Sequence, residues 1–186
     1  NIVAPIDSYP EGYYATDDWM DKAIGFISDI RNQDQDQPFF LYVANNAVHS
    51  PLQAKDEDLA KYRGRYDEGW DRMRAARFAR QKELGIIPAD TVLSDRDPEV
   101  PAWDDLPDDQ KQLFARHMEA YASVLDCADQ NIGRLVAHLE KMGELDNTIF
   151  VLSSDNGGSS SAGPSGMVNF NRRSGRDRSI FEAREA

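Results

Sequence analysis

Apolar residues fall into two periodic classes along this chain. In Trp19, Met20, Ala23, Ile24, Ile27 and Ile30 they recur at helical spacing, which predicts a helix over 16–32 with Thr16 as N-cap and Asp17 and Asp18 in its first turn. Phe114, Met118, Tyr121, Leu125, Ala128, Ile132, Leu135 and Leu139 alternate steps of four and three. They predict a long helix over 108–142 closed by Gly143. Two other stretches, Phe39–Val43 and Thr148–Leu152, are apolar without alternation, the signature of strands buried on both faces. Each follows a predicted helix, so the chain holds at least two helix-to-strand units and its fold class reads as α/β, a parallel sheet with covering helices. A coiled coil is the alternative for the long seam; Ala122, Val124 and Val136 widen the stripe beyond a strict seam and favour sheet packing.

Between these elements the pattern is weaker. A short helix is expected over 55–62 and a highly charged one over 65–84, ended by Gly85. Pro88, Pro98 and Pro101 make 86–106 a loop, and the Gly/Ser-rich then Arg-rich segment 159–186 reads as loop or frayed end.

Composition narrows the possible partners. The 186 residues carry a net charge of −12 and are 40% hydrophobic, enough for a core within one domain or a large part of one. A strongly acidic chain argues against nucleic acid or an anionic membrane as the main partner. The single cysteine, Cys127, precludes an internal disulfide, and no stretch approaches the ~20 apolar residues of a membrane span. The chain opens on Asn1 with no signal-peptide pattern, so it is expected to be an internal segment of a longer product.

The strand at 148–152 stops at Asp155-Asn156-Gly157-Gly158. In open α/β sheets, ligands sit outside the carboxyl ends of strands. A carboxylate and an amide oxygen there are hard donors suited to Ca²⁺ or Mg²⁺, although the same four residues also make an ordinary turn.

Three pieces stand in order: His49-Ser50-Pro51 after the first strand; Tyr121, Asp129 and Gly133-Arg134-Leu135 on the long helix; and Leu145-Asp146-Asn147-Thr148 leading to Ser154-Asp155-Asn156-Gly157. The set closely resembles the arylsulfatase family of the alkaline-phosphatase-like superfamily. Gly12-Tyr13-Tyr14-Ala15-Thr16-Asp17, Pro38–Tyr42, Pro51–Ala54 and Lys61–Asp67 fit the same family, so the resemblance runs over roughly 12–158. It implies hydrolysis of sulfate esters, small-molecule or glycan. Asp155 and Asn156 match the family's metal ligands, with calcium the usual cation and Mg²⁺ the alternative. His49 matches the histidine that contacts the sulfate and helps protonate the leaving oxygen, although Val48 stands where a proline is common. Members are usually exported, to periplasm, lysosome or medium.

The resemblance is incomplete. The family nucleophile is a formylglycine made within Cys/Ser-x-Pro-x-Arg, and no such motif occurs here. Cys127 lies mid-helix and reads as a small core residue, and Ser8-Tyr9-Pro10-Glu11-Gly12 lacks the arginine. Asp17-Asp18 follows no strand and does not match the family's Asp-Asp metal pair, and no lysine follows Lys141. His117 and His138 read as helix-surface or packing residues, and Asp129 as a buried anchor. The expectation is therefore a segment of a sulfatase catalytic domain over 1–158, with no turnover alone and, with strand edges open, marginal stability. Alternatives are a phosphodiesterase or phosphonate hydrolase of the same superfamily, a non-catalytic cation-binding or interaction protein, and a remnant whose reading frame shifts near residue 160.

Overall fold

The computed structural model describes residues 8–49 and 52–158. Ser50, Pro51 and the expected loop at 159–186 lie outside the described residues. Four α-helices are formed: α1 (Ala15–Gln33), α2 (Asp56–Lys61), α3 (Gly69–Glu83) and α4 (Asp108–Lys141); single 3₁₀ turns occupy Trp103–Asp105 and Leu145–Asn147. The described residues divide into two compact units, one from 8–47 with 125–151, the other from 48–49 and 52–124 with 152–158.

In the first unit the core consists of Met20, Ala23 and Ile27 of α1 against Leu135 and Leu139 of α4. The helical spacing of these residues places each set on one face. Tyr14, rather than Thr16, is the N-cap of α1, and its side chain makes no cap hydrogen bond. Thr16 is instead buried inside the first turn. Asp17 accepts a hydrogen bond from Asn131 Nδ2 at 2.8 Å, and that amide also donates to the Cys127 carbonyl at 2.9 Å. A buried amide is thereby satisfied from both helices. The Arg31 guanidinium forks onto Glu144 (2.8 and 3.3 Å) and lies 5.1 Å over the Phe39 ring.

Both α3 and α4 end in a Schellman motif. At α4, Gly143 N–H donates to Glu140 and Glu144 N–H to Leu139; at α3, Gly85 donates to Lys82 and Ile86 to Gln81.

Among the described residues there is no strand, so the expected parallel sheet is not seen among them. The segment at 39–43 is half-covered extended chain, and the one at 149–152 is exposed along its length. Phe39, Leu41 and Val43 pack on the α1–α4 core, while Phe40 and Tyr42 are 93% and 80% exposed. Alternate residues on opposite faces is the side-chain geometry of a strand; among the described residues no neighbouring backbone pairs with it. Ile149, Val151 and Leu152 are likewise more than 80% exposed.

The long seam also differs from expectation. In α4 the buried positions are Ala115, Glu119, Ala122, Ser123, Val124, Cys127, Ala128, Asn131, Leu135 and Leu139, whereas Met118, Tyr121 and Leu125 are exposed. From Ala115 to Asn131 the packed face carries mostly small and polar side chains, with Leu135 and Leu139 completing it towards the C-terminus.

The second unit is built around Trp103, Leu106 and Ala115, with Tyr66, Trp70 and Phe114 packed against them. The helix expected to begin at 65 begins at Gly69, whose φ of +80° breaks the chain's helical course. Asp71 accepts a hydrogen bond from Trp103 N–H at 2.9 Å and an ion pair from Arg96 at 2.9 Å. Those two contacts hold its carboxyl below its ordinary range. Glu119 is buried and accepts from Gly64 N–H at 2.8 Å and Arg116 at 2.6 Å. Burial opposes its ionisation, but those two donors outweigh it and its pKa falls.

Candidate functional site

His49 follows a turn shaped by Asn45, whose Oδ1 accepts the Ala47 N–H at 3.0 Å. This Asx turn reverses the chain after the extended segment and leaves His49 exposed. The second candidate region begins where Thr148 leaves the 3₁₀ turn. Its N–H donates to Leu145, and its hydroxyl donates to the Glu144 carbonyl at 2.7 Å. Thr148 itself has extended backbone, φ −119° and ψ 130°.

The chain then bends at Asp155–Gly157. Asp155 Oδ1 accepts the Asn156 N–H at 3.0 Å, Asn156 Nδ2 donates to the Gly157 carbonyl at 2.7 Å, and Ser154 Oγ donates to the Asn156 carbonyl at 2.6 Å. The structure thus brings Asp155 and Asn156 together in one bend. Because the Asn156 amide nitrogen is engaged, its Oδ1 remains an acceptor, and so does Asp155 Oδ2. Both are hard oxygen donors of the kind Ca²⁺ or Mg²⁺ takes. In chemistry the pair fits such a cation; in number it does not complete a shell, which for Ca²⁺ needs about six to eight oxygens. No group of three or more His, Cys, Asp or Glu residues able to hold a metal occurs among the described residues. Nor does a hydrogen bond or ion pair among them join His49 to Asp155 or Asn156.

The family profile described as Sulfatase matches residues 2–177 of this chain. The chain belongs to the sulfatase family. An uncharacterized sulfatase of Schizosaccharomyces pombe is 39% identical over 148 residues, 79% of this chain and 26% of that protein. An arylsulfatase of Klebsiella aerogenes is 33% identical over 156 residues, 84% of this chain and 33% of its own length. An N-acetylglucosamine-6-O-sulfatase of Bacteroides thetaiotaomicron is 27% identical across 77% of this chain and 33% of that protein. This sulfatase chain therefore spans about a quarter to a third of these relatives. Membership implies an alkaline-phosphatase-like α/β fold, of which the described residues form helices and two extended segments.

The remaining candidates find structural surroundings. Cys127 is 2% exposed, with Sγ 3.8 Å from Asp17 Oδ1. His138 Nε2 lies 3.2 Å from Ser28 Oγ, a contact between helices. His117 is half-buried with its ring edge toward Phe114, centroids 6.4 Å apart. Asp129, expected to be a buried anchor, is exposed; the anchoring pair is Asp17 with Asn131, two positions further along the helix. The sequence carries a faint signal for that pair: Asn131 is a polar residue lying four after Cys127 and four before Leu135, on a buried line that also holds Glu119 and Ser123. No helix among the described residues is long and apolar enough to cross a membrane.

Proposed function

We propose that this chain is part of a sulfatase that hydrolyses sulfate esters with His49 as general acid and Asp155 and Asn156 as two ligands of a divalent cation, Ca²⁺ before Mg²⁺. The supporting observation is the family match together with the bend that holds a carboxylate and an amide oxygen side by side at 155–156. When bound, such a cation neutralises sulfate oxygens and stabilises charge developing in the transition state. Asp155 supplies the anionic ligand, and Asn156 adds an oxygen without further charge. His49, exposed at the end of its turn, donates a ring N–H proton to the ester oxygen as the S–O bond breaks, so that the alcohol departs neutral. The nucleophile is a formylglycine contributed by residues beyond those present here. The substrate is a small-molecule or glycan sulfate, and the protein is exported.

The test uses the complete protein carrying this segment, assayed on 4-nitrophenyl sulfate and 4-nitrophenyl phosphate. His49→Ala should lower kcat about 10²–10⁴-fold, the range of a lost general acid. Asp155→Ala should abolish cation-dependent activity. The 186-residue chain alone should show no turnover, because the covalent step has no nucleophile. Sulfate hydrolysis by that chain above the buffer rate would place the nucleophile within it and refute this reading. Preference for the phosphate ester would transfer the site to the phosphohydrolase branch of the superfamily.

A further inference from the structure

The second unit contains a concavity of about 460 Å³ lined entirely by residues 66–118, within the roughly 300–1,000 Å³ of small-molecule sites. It is aromatic on one side. Trp70 and Trp103 meet edge to face with ring centroids 4.8 Å apart, and Phe114 lies 5.7 Å from Trp70. Arg74, Arg77 and Arg96 also line it, together with Met73, Val100, Ala115 and Met118, and Asp71 is the one carboxylate among the lining residues.

Only one of those cations is ion-paired among the described residues. Arg96 pairs with Asp71, whose second oxygen is taken by the Trp103 N–H. Arg74 donates to Ser94 Oγ at 2.7 Å and makes no ion pair of its own, although its charge helps to lower the Asp71 pKa. Arg77 makes no hydrogen bond or ion pair among the described residues, and neither Arg74 nor Arg77 stacks on an aromatic face there. Two guanidinium groups without an ion pair among the described residues therefore line the same pocket as the aromatic side chains, in a chain whose net charge is −12. Packing of the small core accounts for the tryptophans. It does not account for two arginines without an ion pair in the same lining.

We propose that this pocket binds a ring-bearing anion. The ring lies against Trp70 and Phe114, and its sulfate or carboxylate is held by Arg74 and Arg77. Guanidinium forks match the planar or trigonal oxygen arrangements of such groups, and aromatic faces take either an aryl ring or the apolar face of a pyranose. Arg96, locked onto Asp71, shapes the wall rather than binding charge. The pocket shares no residue with His49, Asp155 or Asn156, so its occupancy does not depend on the hydrolytic reading.

Titration calorimetry on the folded full chain tests this, with naphthalene-2-sulfonate as the aryl probe, N-acetylglucosamine 6-sulfate as the sugar probe and 2-naphthylmethanol as the uncharged control. At least one anionic probe should bind saturably, at least tenfold more tightly than the alcohol, and more weakly as salt rises. Which probe binds distinguishes an aryl ligand from a sugar. Combined Arg74→Gln and Arg77→Gln substitution should lower affinity at least tenfold, and Arg77→Gln alone, at an exposed position, should lower it measurably with the near-ultraviolet dichroism of the tryptophans intact. Arg80→Gln, which removes a cation paired to Glu83 outside the pocket, should leave affinity unchanged. No saturable binding of either anion, equal binding of the alcohol, or equal loss in Arg80→Gln would each overturn the proposal. Since the readout is heat of binding without turnover, an inactive chain that binds the probe separates this proposal from the fate of the hydrolytic one.

Discussion

Gly69 is the position where a single methyl group should do most damage. It opens α3 with φ +80°, and a Cβ built there would lie 2.1 Å from two atoms of the Trp103 indole and 2.4 Å from a third. Trp103 is 5% exposed, wedged against Trp70 and tied to Asp71 through its backbone N–H, so it cannot yield by turning into solvent. Alanine in the left-handed region costs about 1–2 kcal/mol, and forcing a methyl into a packed contact costs about 1–3 kcal/mol. A stiffer unfolded chain returns about 0.4–1 kcal/mol, leaving a net loss of about 1–4.6 kcal/mol. That is a large share of the ~5–15 kcal/mol that stabilises an ordinary domain.

Urea unfolding followed by tryptophan fluorescence measures it, with two comparisons. Gly25→Ala, within α1 and with nothing inside 4 Å of its added Cβ, should stabilise by about 0.5–1 kcal/mol. In a Trp103→Leu background, Gly69→Ala should cost only the backbone component, about 1–2 kcal/mol. A Gly69→Ala protein within about 0.5 kcal/mol of the parent, the scatter of neutral surface changes, would refute the account. So would an undiminished cost in the Trp103→Leu background.

Two further outcomes follow from burial and charge. Burial holds the His117 ring below its ordinary titration range, so the unfolded chain takes up that proton at higher pH than the folded one. The stability this contributes is complete above about pH 6.5 and is lost as pH falls through the interval beneath it. Tm measured between pH 7.5 and 5 should therefore fall less steeply in His117→Gln, and an unchanged slope would show that the ring does not titrate differently on folding. Ile149 is 91% exposed; Ile149→Lys should change the stability of this chain by less than about 0.5 kcal/mol and reduce its aggregation. In the complete sulfatase the same change should be strongly destabilising, because a strand buried on both faces leaves no room for an unpaired ammonium. Equal tolerance in both proteins would mean that this face is open in the sulfatase as well.

Local sequence determined the helices and their ends. α1 and α4 lie within one or two residues of the apolar spacing that specified them, because an amphipathic stripe and a C-terminal glycine act within a few turns of the chain. The family was legible for the same reason: its motifs are short, ordered runs such as Leu145–Thr148 and Ser154–Gly157. Tertiary structure decided what depends on residues far apart. The break at Gly69 answers to Trp103, and the buried line of α4 runs through Cys127 and Asn131 because Asp17 of α1 receives the Asn131 amide. Of the seam that periodicity would bury, Ala128, Leu135 and Leu139 are buried, whereas Met118, Tyr121 and Leu125 are left outside.

Phe39–Val43 and Thr148–Leu152 mark the boundary between the two. Their composition reads as interior strand, yet a strand exists only where a neighbouring backbone supplies its hydrogen bonds, and among the described residues none does. Helices close their hydrogen bonds within themselves, so the sequence could specify them unaided; a sheet and a cation site gather donors from separate segments, and only the assembled chain can provide those.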